Sequence, residues 1–119
     1  MNENGNIKEQ DIINACDQST KFLALTHMSN VTGQIIDIKK IKEKISSDIL
    51  IAVDGCQSIA HINIDVQDLD CDFYSFSSHK LYGPSGIGIM FGKEKLLESL
   101  EPPSLGGGMI NNVSVDSFS

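Results

Sequence analysis

Three short strand-like runs, at 22–26, 49–53 and 72–76, each lead into a cluster of polar residues, and no other feature constrains the fold as strongly. The runs are Phe22-Leu23-Ala24-Leu25-Thr26, Ile49-Leu50-Ile51-Ala52-Val53 and Asp72-Phe73-Tyr74-Ser75-Phe76. Each has the length and side chains of a strand. Ile49 to Val53 contains no polar residue, the form of a strand buried on both faces. Helical patterns lie around these runs. Ile12, Ile13 and Cys16 suit a short helix from Ile7 to about Asp17. Asp37 is placed to cap a second, in which Ile38, Ile41 and Ile45 share one face and Lys39, Lys40, Lys42 and Lys44 take the others. A short helix is expected near Gln57–His61, a glycine-punctuated strand from Gly86 to Phe91, and a helix at Lys93–Leu100 stopped by Pro102-Pro103. Gly106-Gly107-Gly108 reads as a turn or a point of close approach. Alternating helices and strands define an α/β fold with a mixed, mostly parallel sheet and flanking helices. The 77–85 connection is shorter than the dozen or so residues of a parallel crossover, so strand 86–91 should run antiparallel to strand 72–76.

Composition narrows the function. A chain of 119 residues suits a single domain. Its net charge of −7 opposes binding to nucleic acid or to an acidic membrane. No apolar run approaches the ~20 residues of a membrane span and no secretory leader pattern opens the chain, so a cytoplasmic protein is expected. Cys16, Cys56 and Cys71 are odd in number and lack CxxC spacing, against both a disulfide framework and a structural zinc site. They read as reduced thiols in or near a core.

The chemistry belongs to the polar clusters: Thr26-His27-Met28-Ser29-Asn30, Asp54-Gly55-Cys56-Gln57 and Ser77-Ser78-His79-Lys80. In open α/β sheets ligands bind beyond the carboxyl ends of strands, so three such clusters on neighbouring strands should converge on one pocket. They hold what a pyridoxal 5'-phosphate (PLP) site needs. Lys80 can take the aldehyde as a Schiff base, Asp54 can keep the pyridine nitrogen protonated, and Ser77 and His79 can serve the phosphate. Taken singly, each residue has a plainer reading. An aspartate ending a strand is usually a cap or turn former, and a lysine in a Gly/Pro loop is usually solvated. His27 and His79, taken singly, read as satisfied polar residues, and His61 has no partner in the pattern.

In combination the segments resemble the class V aminotransferase family, with the closest likeness to group II (SufS-like) cysteine desulfurases, a branch that includes selenocysteine lyase relatives. The likeness runs through Thr26–Gly33, Val53–Ser58, Leu69–Pro84, Gly86–Ile89 and Gly106–Ile110 in one register, nearly the whole chain. It implies a fold-type I PLP-dependent transferase large domain, with 1–119 a partial PLP-binding domain and the small C-terminal domain absent. Implied roles are Lys80 as the cofactor lysine and proton shuttle, Asp54 at the pyridinium, and Gln57 at the ring hydroxyl. Asn30 would lie near that hydroxyl and the substrate carboxylate, with Ser77 and His79 at the phosphate. The implied reaction takes sulfur from L-cysteine to give L-alanine and persulfide sulfur for iron–sulfur cluster assembly. A homodimer or complementing chain and a sulfur-acceptor protein would be the partners.

Two positions depart from the family pattern: Ser78 replaces the usual glycine and Cys56 a common alanine. The family's persulfide-forming cysteine lies far toward the C-terminus and matches no position here, so Cys56 does not take its role. All nine basic residues are lysines. The bidentate arginine that normally clamps an amino-acid carboxylate therefore has no counterpart in this chain. The expectation is a truncated or split piece, inactive alone. Its strands would be central elements of a seven-stranded sheet, with open edges and an apolar face needing cover. Alternatives are a segment of a selenocysteine lyase or another class V enzyme, or a non-catalytic remnant that folds only with a partner chain.

Overall fold

The structure, a computed structural model, describes residues 5–101. Pro102-Pro103 and the glycine triplet at 106–108 lie outside the described residues. The elements are α1 (Glu9–Ala15), β1 (Phe22–Thr26), α2 (Ile38–Lys42), β2 (Leu50–Asp54), α3 (Ser58–His61), α4 (Val66–Leu69), β3 (Phe73–Ser77), a 3-10 turn (Ser78–Leu81), β4 (Gly88–Gly92) and α5 (Glu94–Ser99). They form a four-stranded sheet in the order β1-β2-β3-β4. β1, β2 and β3 run parallel, and β4 returns antiparallel to β3 as its short connection requires.

Local chemistry accounts for most of these elements. Asp37 caps α2 by accepting the Lys40 amide at 2.9 Å. Ile38 and Ile41 then lie on its inner face, both fully buried. They meet Ile51 and Val53 of β2, Tyr74 of β3, and Ile36 and Cys71 in one core. Burying each of these isoleucines contributes roughly 2 kcal/mol. One helix was not expected: α4, a single turn whose cap Asp65 accepts the Gln67 and Asp68 amides at 2.9 and 3.2 Å. Only the Asp65-Val66-x-x-Leu69 spacing hints at it in the sequence.

The burial of β2 corrects a second expectation. Its residues alternate between half-buried and buried, so the strand is enclosed on one face rather than two. The opposite sheet face presents Phe22, Ala24, Ser75 and Met90, all exposed. An all-apolar strand at this position has the composition for two covered faces, and among the described residues only one has its cover.

Asp72 ties the opposite end of the sheet together. Its side chain is 6% exposed. It accepts the Ile51 amide at 2.8 Å and pairs with Lys42 at 3.2 Å and Lys93 at 3.0 Å. Lys93 also reaches Asp70 at 2.7 Å. This link holds β2, β3 and the start of α5 to the end of α2. No helix among the described residues is long and apolar enough to cross a membrane.

Candidate functional site

Because β1, β2 and β3 are parallel, their carboxyl ends meet at one edge of the sheet. The register sets Thr26 beside Asp54 and Asp54 beside Ser75. Beyond that edge is a hollow of about 260 Å³ lined by Thr26, Met28, Asn30, Asp54, Cys56, Gln57 and Lys80. All three polar clusters contribute to it. A neighbouring hollow of about 460 Å³ runs onto the open sheet face, shares Asp54 and Cys56, and adds Ser75, Ser77 and Met90. Of the six candidate residues, Asn30, Asp54, Gln57 and Lys80 thus line one cavity, and Ser77 lines the next. His79 is exposed on the same 3-10 turn as Lys80 and lines neither hollow.

Each side chain is placed by local structure. Asp54 ends β2 and accepts the Cys56 amide at 2.9 Å, which makes it the turn former that its strand-end position suggests. That contact occupies one of its two carboxylate oxygens. Gln57 immediately precedes α3. Lys80 sits in the 3-10 turn after β3, and among the described residues no ion pair engages its ammonium.

Ser78, where a glycine was the usual residue, is not in the left-handed region, so the substitution carries no backbone strain there. Its buried hydroxyl donates to the Pro84 carbonyl, and the Gly83 amide donates to the Ser78 carbonyl at 3.0 Å. Both bonds close the loop that presents Lys80. Ser78→Ala should cost about 1 kcal/mol through the lost hydrogen bond. An unchanged urea midpoint would show that the loop does not depend on it.

Two further features border the site. Cys56 is a half-buried thiol at the boundary of the two hollows, with Sγ 3.6 Å from Ser77 Oγ. The core claims Cys71, whose burial raises its thiol pKa, but not Cys56. His27, Ser58 and Tyr74 form a buried polar group just under the site, and no local pattern announces it.

A carboxylate, a primary amine and a carboxamide converge here from three strand ends, with a serine in the adjoining hollow. This donor set fits a phosphorylated pyridine aldehyde. The chain belongs to the aminotransferase class V family, whose model matches residues 1–119. Within that family it is similar to cysteine desulfurases. It is 50% identical over 112 residues to the cysteine desulfurase of Wigglesworthia glossinidia brevipalpis, covering 92% of this chain and 27% of that protein. It is 49% identical over 100 residues to that of Serratia proteamaculans, covering 83% of this chain and 25% of that one. The crystal structure of an Escherichia coli cysteine desulfurase superposes with a TM-score of 0.87 at 41% identity, covering 100% of this chain and 30% of that one. The apo enzyme from Thermococcus onnurineus gives 0.84 at 31% identity, with coverage of 100% and 30%. The chain therefore spans between a quarter and a third of the length of these relatives.

Proposed function

We propose that this chain supplies the PLP-holding strand ends of a cysteine desulfurase, which releases L-alanine from L-cysteine and passes on persulfide sulfur for iron–sulfur cluster assembly. The observation that carries the reading is the single hollow shared by Asn30, Asp54, Gln57 and Lys80 in a chain half identical to a cysteine desulfurase. When bound, PLP supplies an electron sink that stabilises negative charge at the substrate's α-carbon.

The chain's own groups do the rest. Lys80, which no ion pair engages among the described residues, would hold the cofactor by its aldehyde carbon in its deprotonated form, and once released by the incoming substrate amine its Nζ would carry the substrate's α-proton. Asp54 would keep a proton on the pyridine nitrogen by its charge, Gln57 and Asn30 would orient the ring through its hydroxyl, and Ser77 and His79 would hold the phosphate. Having no arginine, this chain leaves a bidentate carboxylate clamp to another part of the enzyme. The open sheet face likewise suits assembly with further chain, as a homodimer or a complementing subunit, before sulfur passes to an acceptor protein.

Borohydride reduction tests the lysine. In the PLP-treated chain it should leave a pyridoxyl group on the peptide containing Lys80, and Lys80→Ala should abolish the label. A label that persists in Lys80→Ala, or that sits on another lysine, overturns the assignment. Incubation with L-cysteine tests the activity: alanine release is expected from the complete assembly and not from the chain alone. Sustained release by the isolated chain would contradict the need for a partner.

A further inference from the structure

Under the turn that carries Asp54 and Gln57 lie three buried polar side chains from three different segments. His27, just beyond β1, is 4% exposed, Tyr74 of β3 is 1%, and Ser58 at the start of α3 is 0%. The Tyr74 hydroxyl is 2.7 Å from Ser58 Oγ and 3.4 Å from His27 Nδ1. Ser58 Oγ in turn lies 3.3 Å from the Gly55 carbonyl. The two rings meet edge to face, with centroids 6.0 Å apart.

One assignment of protons satisfies every contact: His27 Nδ1–H donates to Tyr74, Tyr74 O–H to Ser58, and Ser58 O–H to the Gly55 carbonyl. Burial pushes the His27 pKa down, with Asp37 opposing, which agrees with a neutral ring carrying one N–H. Backbone bonds run alongside, from His27 N–H to the Asp54 carbonyl at 2.9 Å and from Gly55 N–H to the Ser75 carbonyl at 2.8 Å. An apolar trio would fill this space without the desolvation cost of three polar groups.

The juxtaposition has a consequence for the site. His27 leads into Asn30, Ser58 follows Gln57, and Tyr74 leads into Ser77 and Lys80. We infer that the Tyr74 hydroxyl, bonded to Ser58 and His27, is a positioning group that locks the three ligand-bearing segments at fixed separation. It acts through Asp54, Gln57, Asn30 and Lys80 without touching the cofactor, and so rests on the reading of the site as a PLP site.

Tyr74→Phe keeps the ring that packs on Gly55 and removes only the hydroxyl, and Ser58→Ala removes its partner. In the full chain, each should raise the PLP dissociation constant about tenfold. Each should also speed hydrogen exchange at the Gly55 and Cys56 amides about tenfold. The double variant should be little worse than either single, because both break the same chain of bonds. Ile41→Val, a core change of similar stability cost, should move neither quantity. Wild-type affinity and exchange in Tyr74→Phe, or the same losses in Ile41→Val, would overturn the inference. If the wild-type chain takes up no PLP, the proposed function fails instead. The exchange rates then still decide the positioning role, and unchanged rates overturn it.

Discussion

Gly55→Ala is expected to cost about 3 kcal/mol and to abolish PLP uptake, a large effect for a single methyl group. Gly55 is buried, and a Cβ there would overlap Cε1, Cζ and the hydroxyl of Tyr74. Neither side can move cheaply. The Gly55 amide is bonded to the Ser75 carbonyl at 2.8 Å, and its own carbonyl accepts the Ile59 amide at 2.9 Å. The Tyr74 ring is fixed by core packing and by its hydroxyl bonds to Ser58 and His27. Backbone conformation is not the issue, because Gly55 is not among the positive-φ residues. The conflict is one of space. A displaced Gly55 carries Asp54 and Gln57 with it, which is why binding should fail along with stability. On a Tyr74→Ala background the same methyl should cost less than about 1 kcal/mol, since its obstacle is gone. Equal costs on both backgrounds, measured by urea unfolding, would place the strain elsewhere.

The Gly55–Tyr74 contact also marks the limit of what the sequence reveals. The strands were legible because β-branched and aromatic residues run in strand-length blocks, and α2 because Ile38 and Ile41 recur behind a capping aspartate. The direction of β4 followed from the length of one connection. The site's three clusters were legible because strand direction in an α/β sheet decides which ends share an edge. Contacts between residues far apart in the chain were another matter. His27, Ser58 and Tyr74 lie 16 to 47 residues apart, and although each falls in a segment that carries the family resemblance, nothing local pairs them, so each looked ordinary and His27 read only as a satisfied polar group. Its partner is the Tyr74 hydroxyl, a fact fixed by packing. The uneven burial of β2 was illegible for the complementary reason: composition records which faces a strand is built to bury, not which are covered among the residues described. One-turn α4 fell below the length at which periodicity is readable.

Asp72→Asn should lower stability by about 3 kcal/mol, the cost of leaving a buried charge without its partner. Asparagine can still accept the Ile51 amide, but Lys42, with a side chain only 14% exposed, would lose its counter-ion. Lys93 would keep Asp70. The exposed pair Lys39–Asp68 offers the contrast: Lys39→Ala should cost less than about 1 kcal/mol, because both partners are well solvated. Acid separates the two cases further. Burial by itself raises the Asp72 carboxyl pKa, but the Ile51 amide and the ammoniums of Lys93 and Lys42 outweigh it and hold the group below its ordinary 3.8. A carboxylate depressed on folding stabilises the native state above its unfolded pKa, and that contribution disappears as pH falls through the lower folded value. Wild type should therefore lose an increment of stability below about pH 4 that Asp72→Asn has already lost. The gap between their urea midpoints should then be widest at neutral pH and close on acidification. Midpoints that fall in parallel from pH 7 to pH 3 would show that the link between β2, β3 and α5 draws nothing from the charge on Asp72. The fold would then depend at this end on packing and the Ile51 hydrogen bond alone.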